Sequence, residues 1–113
     1  MKVTYHSNNT IAAVAPDGRI DSDTSPELEK RMLALLQRGD RFLILDLSAV
    51  DYMASNGMRV LLLIAKKSRE AEGKCVLVGL TPFIRDILKM TGFLQYFEEY
   101  GSVDLAVSAL VQG

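Results

Sequence analysis

The densest apolar segments of the chain fall between residues 42 and 78. Phe42-Leu43-Ile44-Leu45 is too short for a globular helix and too continuous for a strand exposed on one face. It predicts a central strand over residues 42–47, covered by helices on both sides. The polar stretch Ser48-Ala49-Val50-Asp51 reads as a loop leading to Ala54-Ser55-Asn56-Gly57. A second apolar run, Met58 to Ala65, turns polar at Lys66-Lys67-Ser68-Arg69-Glu70. This predicts a helix over about residues 56–71, stopped by Gly73. Its consecutive Val60, Leu61, Leu62, Leu63 and Ile64 spread around most of the circumference, as in a helix buried on more than one side. Lys74-Cys75-Val76-Leu77-Val78 is another buried-strand run. Strand, helix and strand make a βαβ unit, with parallel strands and a right-handed crossover expected.

The flanking pattern is more amphipathic. Residues 2–7 alternate, with Val3 and Tyr5 on one side and Thr4 and His6 on the other, as in a half-exposed strand. Asn8-Asn9 predicts a hairpin turn into Ile11-Ala12-Ala13-Val14-Ala15. Pro16-Asp17-Gly18 interrupts, and Arg19-Ile20 is expected to resume that strand past a kink. Thr24 with Glu27 forms a candidate capping box, and Pro26 suits a first helical turn. Leu28, Met32, Leu35 and Leu36 then share one helical face, and Gly39 supplies the stop. Thr81-Pro82 repeats the cap-plus-proline start for a third helix with Phe83, Ile84, Ile87 and Leu88 as its stripe, closed by Gly92. Phe97-Glu98-Glu99-Tyr100 reads as a short edge strand. Ser102 caps a last helix whose Val103, Ala106, Val107 and Leu110 face the core. The elements add up to one α/β domain over residues 1–113. Its sheet is mixed but mostly parallel, with four to five strands and about four helices.

Composition narrows the partners. With 13 basic and 14 acidic side chains the net charge is -1, which gives no electrostatic footprint for nucleic acid. Lys66, Lys67 and Arg69 read as a solvated helix end, where cations are favoured. No apolar run approaches the roughly 20 residues needed to cross a bilayer. The N-terminus shows no signal-peptide pattern, so a cytoplasmic protein without a membrane segment is expected. A single cysteine, Cys75, excludes an internal disulfide and a zinc cluster.

No catalytic constellation can be assembled. His6 is the sole histidine, and no serine sits in a Gly-x-Ser-x-Gly elbow. Cys75 lies within an apolar strand, where a buried structural thiol is expected. Phosphate-cradling glycine patterns are absent, and Asp17, Asp21 and Asp23 match turn and cap chemistry rather than a calcium loop. Neither a cofactor nor a metal is expected. Ser55 differs in kind. It precedes a helix, where serine is a common N-cap, and where a phosphate is well tolerated by free N–H groups and the positive dipole end. A phosphate there would add a charge of about -1.5 to -2 to a docking surface without unfolding anything.

At this point the chain resembles a known family. The run Leu45-Asp46-Leu47-Ser48 through Tyr52-Met53-Ala54-Ser55-Asn56-Gly57-Met58-Arg59-Val60-Leu61-Leu62 is similar to the signature of STAS domains. More narrowly it resembles the stand-alone bacterial anti-sigma factor antagonists. Gly18-Arg19-Ile20-Asp21 is similar to the family's Gly-x-Leu-Asp, and the segment from Thr81-Pro82 to Met90-Thr91-Gly92-Phe93 to its third-helix region.

The resemblance implies a phospho-regulated binding module rather than an enzyme. The phosphorylated residue is then Ser55, and the partner is an anti-sigma factor that is also a serine kinase. A PP2C-type phosphatase resets the cycle. The implied docking surface comprises Asp21, Ala54, Ser55, Asn56, Gly57 and Arg59, with Ala54, Asn56 and Gly57 expected to be exposed. Two positions depart from the family's Asp-Ser-Ser-Gly. Ala54 replaces the acid and removes a negative neighbour; Asn56 replaces the second serine and removes a rival phosphoacceptor. The alternative is a constitutive STAS subunit of a lipid-transport or stressosome-like assembly, with Ser55 as a helix cap only. The oligomeric state is left open by the sequence.

Overall fold

A computed structural model describes residues 1–6 and 10–112. The five-stranded sheet is built from β1 (Lys2–His6), β2 (Ile11–Ala15), β4 (Phe42–Asp46), β6 (Lys74–Val78) and β7 (Glu99–Tyr100). Its spatial order is β1-β2-β4-β6-β7. Only β1 and β2 pair antiparallel; the other three pairings are parallel. The expected hairpin turn at Asn8-Asn9 lies outside the described residues.

The apolar run of β4 is buried on both faces for the reason its continuity suggests. Leu43 and Leu45 join Ala12, Val14, Cys75 and Leu77 in one cluster. That cluster is closed by Leu28, Met32 and Leu35 of α1 (Ser25–Arg38) and by Val60, Leu61 and Ile64 of α2 (Ser55–Glu70). Ile84 and Leu88 of α3 (Pro82–Met90) complete it. On the opposite face Ile11, Ala13, Ile44, Val76 and Val78 pack under Ala106 and Leu110 of α4 (Val103–Gln112). Three helices, a sheet and a fourth helix form the layers. Burial also explains the thiol of Cys75, which desolvation pushes up to about 12, far from a reactive thiolate.

The helix boundaries follow local chemistry. Gly39 takes the left-handed conformation (φ 111°) that stops α1. Thr81 Oγ1 accepts from Ile84 N at 3.3 Å, and Ser102 Oγ from Leu105 N at 3.1 Å, as their sequences predict. Phe83 is the member of the α3 stripe that turns outward, 54% exposed. A short 3₁₀ turn, Leu94–Tyr96, precedes β7.

Two segments depart from the sequence expectation. Arg19-Ile20 does not extend β2; it belongs to β3 (Gly18–Ile20), which leaves the main sheet. Residues 50–53, read in part as loop, form β5 (Val50–Met53). β3 and β5 pair in parallel as a separate two-stranded sheet. The reason is visible in burial. Val50 and Met53 point into the core, whereas Asp51 is exposed and Tyr52 half-exposed, so only part of a short strand looks apolar.

Gly73 does not stop α2 by its own conformation; Glu72, at φ 64°, makes the turn. Gly73 is required because a Cβ there would lie 1.9 Å from the Arg41 carbonyl oxygen, where β4 and β6 enter the sheet. Gly73→Ala is therefore expected to cost on the order of 3 kcal/mol, since backbone must move to relieve the overlap. Equilibrium urea unfolding measures this, and unchanged stability would contradict the close approach.

Candidate functional site

The β3–β5 pairing is what builds the candidate site. Ile20 aligns with Met53, and Ala54 N–H donates to the Ile20 carbonyl at 2.8 Å. The residues that follow, Asp21 on one chain segment and Ser55 on the other, thus leave the small sheet at the same end. α2 begins immediately, with Ser55 as its first residue and exposed.

Ser55 is not the cap of that helix. Ala54 occupies the N-cap position in an extended conformation (φ -88°, ψ 172°), and no side chain caps the turn. The Ala54 carbonyl accepts from Gly57 N at 3.0 Å and Met58 N at 3.2 Å. The first turn also carries no acidic residue. Among the described residues the Ser55 hydroxyl makes no hydrogen bond, so it stands free at an uncapped helix start.

Gly57 corrects a second expectation, because it is buried rather than exposed. A Cβ at this position would meet Ile20 Cγ2 at 2.6 Å and Met53 Cγ at 2.9 Å. Glycine lets α2 lie directly on the small sheet, and the outward-facing residues of the site are Ser55, Arg59 and, half-exposed, Ala54 and Asn56.

Asp21 lies beside this surface, and its carboxylate orders the β3–α1 loop. Oδ1 accepts from Asp23 N at 3.0 Å and Thr24 N at 3.2 Å, while Oδ2 accepts from Arg19 Nε at 3.4 Å. The Asp23 amide, with those other donors, holds the carboxyl below its ordinary 3.8. A lowered folded pKa favours the carboxylate. Its contribution is present above 3.8 and is lost as pH falls through the lowered value. The expected capping box does not form. Thr24 Oγ1 donates to Arg19 O at 2.7 Å and accepts from Asp21 N at 2.9 Å instead of capping α1.

Two residues of this region were not singled out from the sequence. The Arg19 guanidinium lies 4.2 Å from the centre of the Tyr52 ring, in the cross-strand pair next to Ile20 and Met53. No alternation in Val50-Asp51-Tyr52-Met53 marks Tyr52 as surface, because the buried Val50 and Met53 stand three residues apart. On the other side, Thr91 at the end of α3 touches Met58 Sδ at 3.8 Å. Among the described residues no group of three His, Cys, Asp or Glu side chains converges to hold a metal.

Two substitutions separate capping from function. Ser55→Ala should leave the unfolding free energy within about 0.5 kcal/mol of the parent, because the hydroxyl holds nothing. Ala54→Asp should raise it by about 1 kcal/mol, because the extended N-cap can then accept from the first-turn N–H groups. Urea unfolding of both variants checks this, and a marked loss for Ser55→Ala would restore the serine as a cap.

Comparison with known proteins agrees with the geometry. The family model of the STAS domain matches residues 2–106. BtrV of Bordetella bronchiseptica, provisionally assigned as an anti-sigma factor antagonist, is 34% identical over 109 residues, covering 96% of this chain and 94% of that protein. An anti-sigma factor antagonist from Mycobacterium paratuberculosis superposes with a TM-score of 0.81 at 28% identity, covering 97% of this chain and 95% of that one. SpoIIAA, an anti-sigma factor antagonist from Bacillus, shares the fold at 12% identity. In its unphosphorylated form it superposes with a TM-score of 0.86, covering 99% of this chain and 96% of that one. Among the described residues no helix is long and apolar enough to cross a membrane. With its small sheet, its helix start at Ser55 and a family match spanning nearly its whole length, this chain belongs to the STAS domain family.

Proposed function

We propose that this chain is an anti-sigma factor antagonist that switches partners through Ser55. Unmodified, it binds an anti-sigma factor that is also a serine kinase and so frees the sigma factor. Phosphorylation of Ser55 ends that complex, and a PP2C-type phosphatase restores it. The observation that carries the reading is the free Ser55 hydroxyl, exposed on the first turn of α2 and unused by the fold.

The chemistry asks little of this chain. The Ser55 oxygen bonds to the γ-phosphorus of ATP, the bond from that phosphorus to ADP breaks, and the hydroxyl proton passes to a base on the kinase. The chain itself acts by binding. Its docking surface is Ser55, Arg59 and the half-exposed Ala54 and Asn56, bordered by the loop that Asp21 orders. Gly57 contributes from beneath, by holding the helix close. An anti-sigma factor acts beside RNA polymerase, which sets the proposed complex in the cytoplasm, and residues 1–113 act as one STAS domain.

The dianion replaces a small neutral hydroxyl at the surface the partner must cover, so a charge is either buried or the contact is abandoned. Asn56 offers no second hydroxyl in the motif. The constitutive-subunit alternative gives Ser55 a capping role that its side chain does not perform.

Incubation with the cognate kinase and ATP should add a single phosphate, about 80 Da by the mass of a phosphoryl group, mapped by peptide analysis to Ser55 and absent from Ser55→Ala. An unmodified protein, with the kinase shown active on another antagonist, would contradict the proposal.

A further inference from the structure

We propose that Arg59 is the positioning residue for the phosphate on Ser55, pairing with it along the solvent face of α2. The inference rests on the reading that Ser55 is the modified residue. Arginine usage in the chain is the observation behind it. Arg19 engages Asp21 and Tyr52, Arg31 engages Glu27, and Arg38 engages Asp40 and Tyr5. Arg41 lies over Phe42, Arg69 donates to the Tyr96 carbonyl, and Arg85 pairs with Glu99. Among the described residues, Arg59 alone of the arginines has no partner of any kind.

The sequence explains why it is idle. The residues one helical turn away from Arg59 are Ser55, Asn56, Leu62 and Leu63, and none is charged. One of them acquires charge on modification. Side chains four apart on a helix stand about 5–6 Å apart at Cβ, within reach of an arginine and a phosphoserine. Both Ser55 and Arg59 are exposed, so the pair forms without moving the core. The planar guanidinium suits two phosphate oxygens at once.

Phosphorylation then changes the docking surface twice. It replaces the serine hydroxyl with a dianion, and it withdraws the free guanidinium that an unmodified surface offers a partner. Other charges on neighbouring elements do not substitute for Arg59. Arg19 is already held by Asp21, and Arg85 by Glu99. Asp21 and Asp51 are acidic, and Asp86 and Lys89 on α3 are of opposite sign.

The test installs phosphoserine at position 55 genetically, without a kinase, in the parent, in Arg59→Gln and in Arg59→Lys. Phosphorus NMR follows the second ionisation of the phosphate, ordinarily near pH 6. A facing cation favours the dianion and lowers that pKa, so the parent should titrate on the order of half a pH unit below Arg59→Gln, with Arg59→Lys between them. The difference should shrink in about 1 M salt, where screening is strong. Equal titration in parent and Arg59→Gln would overturn the pairing. Because no kinase is used, that result would leave the assignment of Ser55 standing, whereas a kinase that ignores Ser55 would remove the assignment itself.

Discussion

Three residues of parallel pairing, Gly18–Ile20 against Val50–Met53, set the positions of everything at the candidate site. The register places Ile20 beside Met53, so the loop beginning at Asp21 and the helix beginning at Ser55 leave the pair together. The hydrogen bond from Ala54 N–H to the Ile20 carbonyl closes the arrangement at 2.8 Å. Gly57 then allows α2 to rest on Ile20 and Met53 where any side chain would push it away. A loop and a helix start, more than thirty residues apart in sequence, become one surface through backbone pairing and one missing Cβ.

The helix start itself is left unfinished. Serine, aspartate or asparagine would satisfy its first N–H groups, and Ala54 cannot. The acidic residue that would repel an incoming phosphate is also absent from the first turn. The serine that could have served the fold is free of it. A residue with no structural duty can be modified without a stability cost, which is what a reversible switch on a small domain requires.

Elements whose hydrophobic period is uniform were legible from sequence alone. The β4 and β6 runs, the faces of α1 and α4, and the caps at Thr81 and Ser102 fall where pattern and cap chemistry place them. The small sheet was not legible. Its strands are three and four residues long, with Arg19, Asp51 and Tyr52 turned outward, so too few apolar positions remain to show a period. Thr24 looked like a cap because its spacing to Glu27 is right, but its hydroxyl is taken up within the loop by the Asp21 N–H and the Arg19 carbonyl. Gly57 was expected exposed as part of the implied docking surface, whereas its role here is close packing. Position in a motif pointed to the candidate site; only the packing showed which of its residues face outward.

The most direct measurement is the affinity of the purified domain for its anti-sigma factor by calorimetry, with phosphoserine or serine at position 55. Binding by the serine form, weakened about 100-fold or more by the phosphate, an affinity change of about 2.7 kcal/mol, is the expected result. Equal affinity for the two forms would contradict the switch and leave Ser55 as an ordinary surface residue.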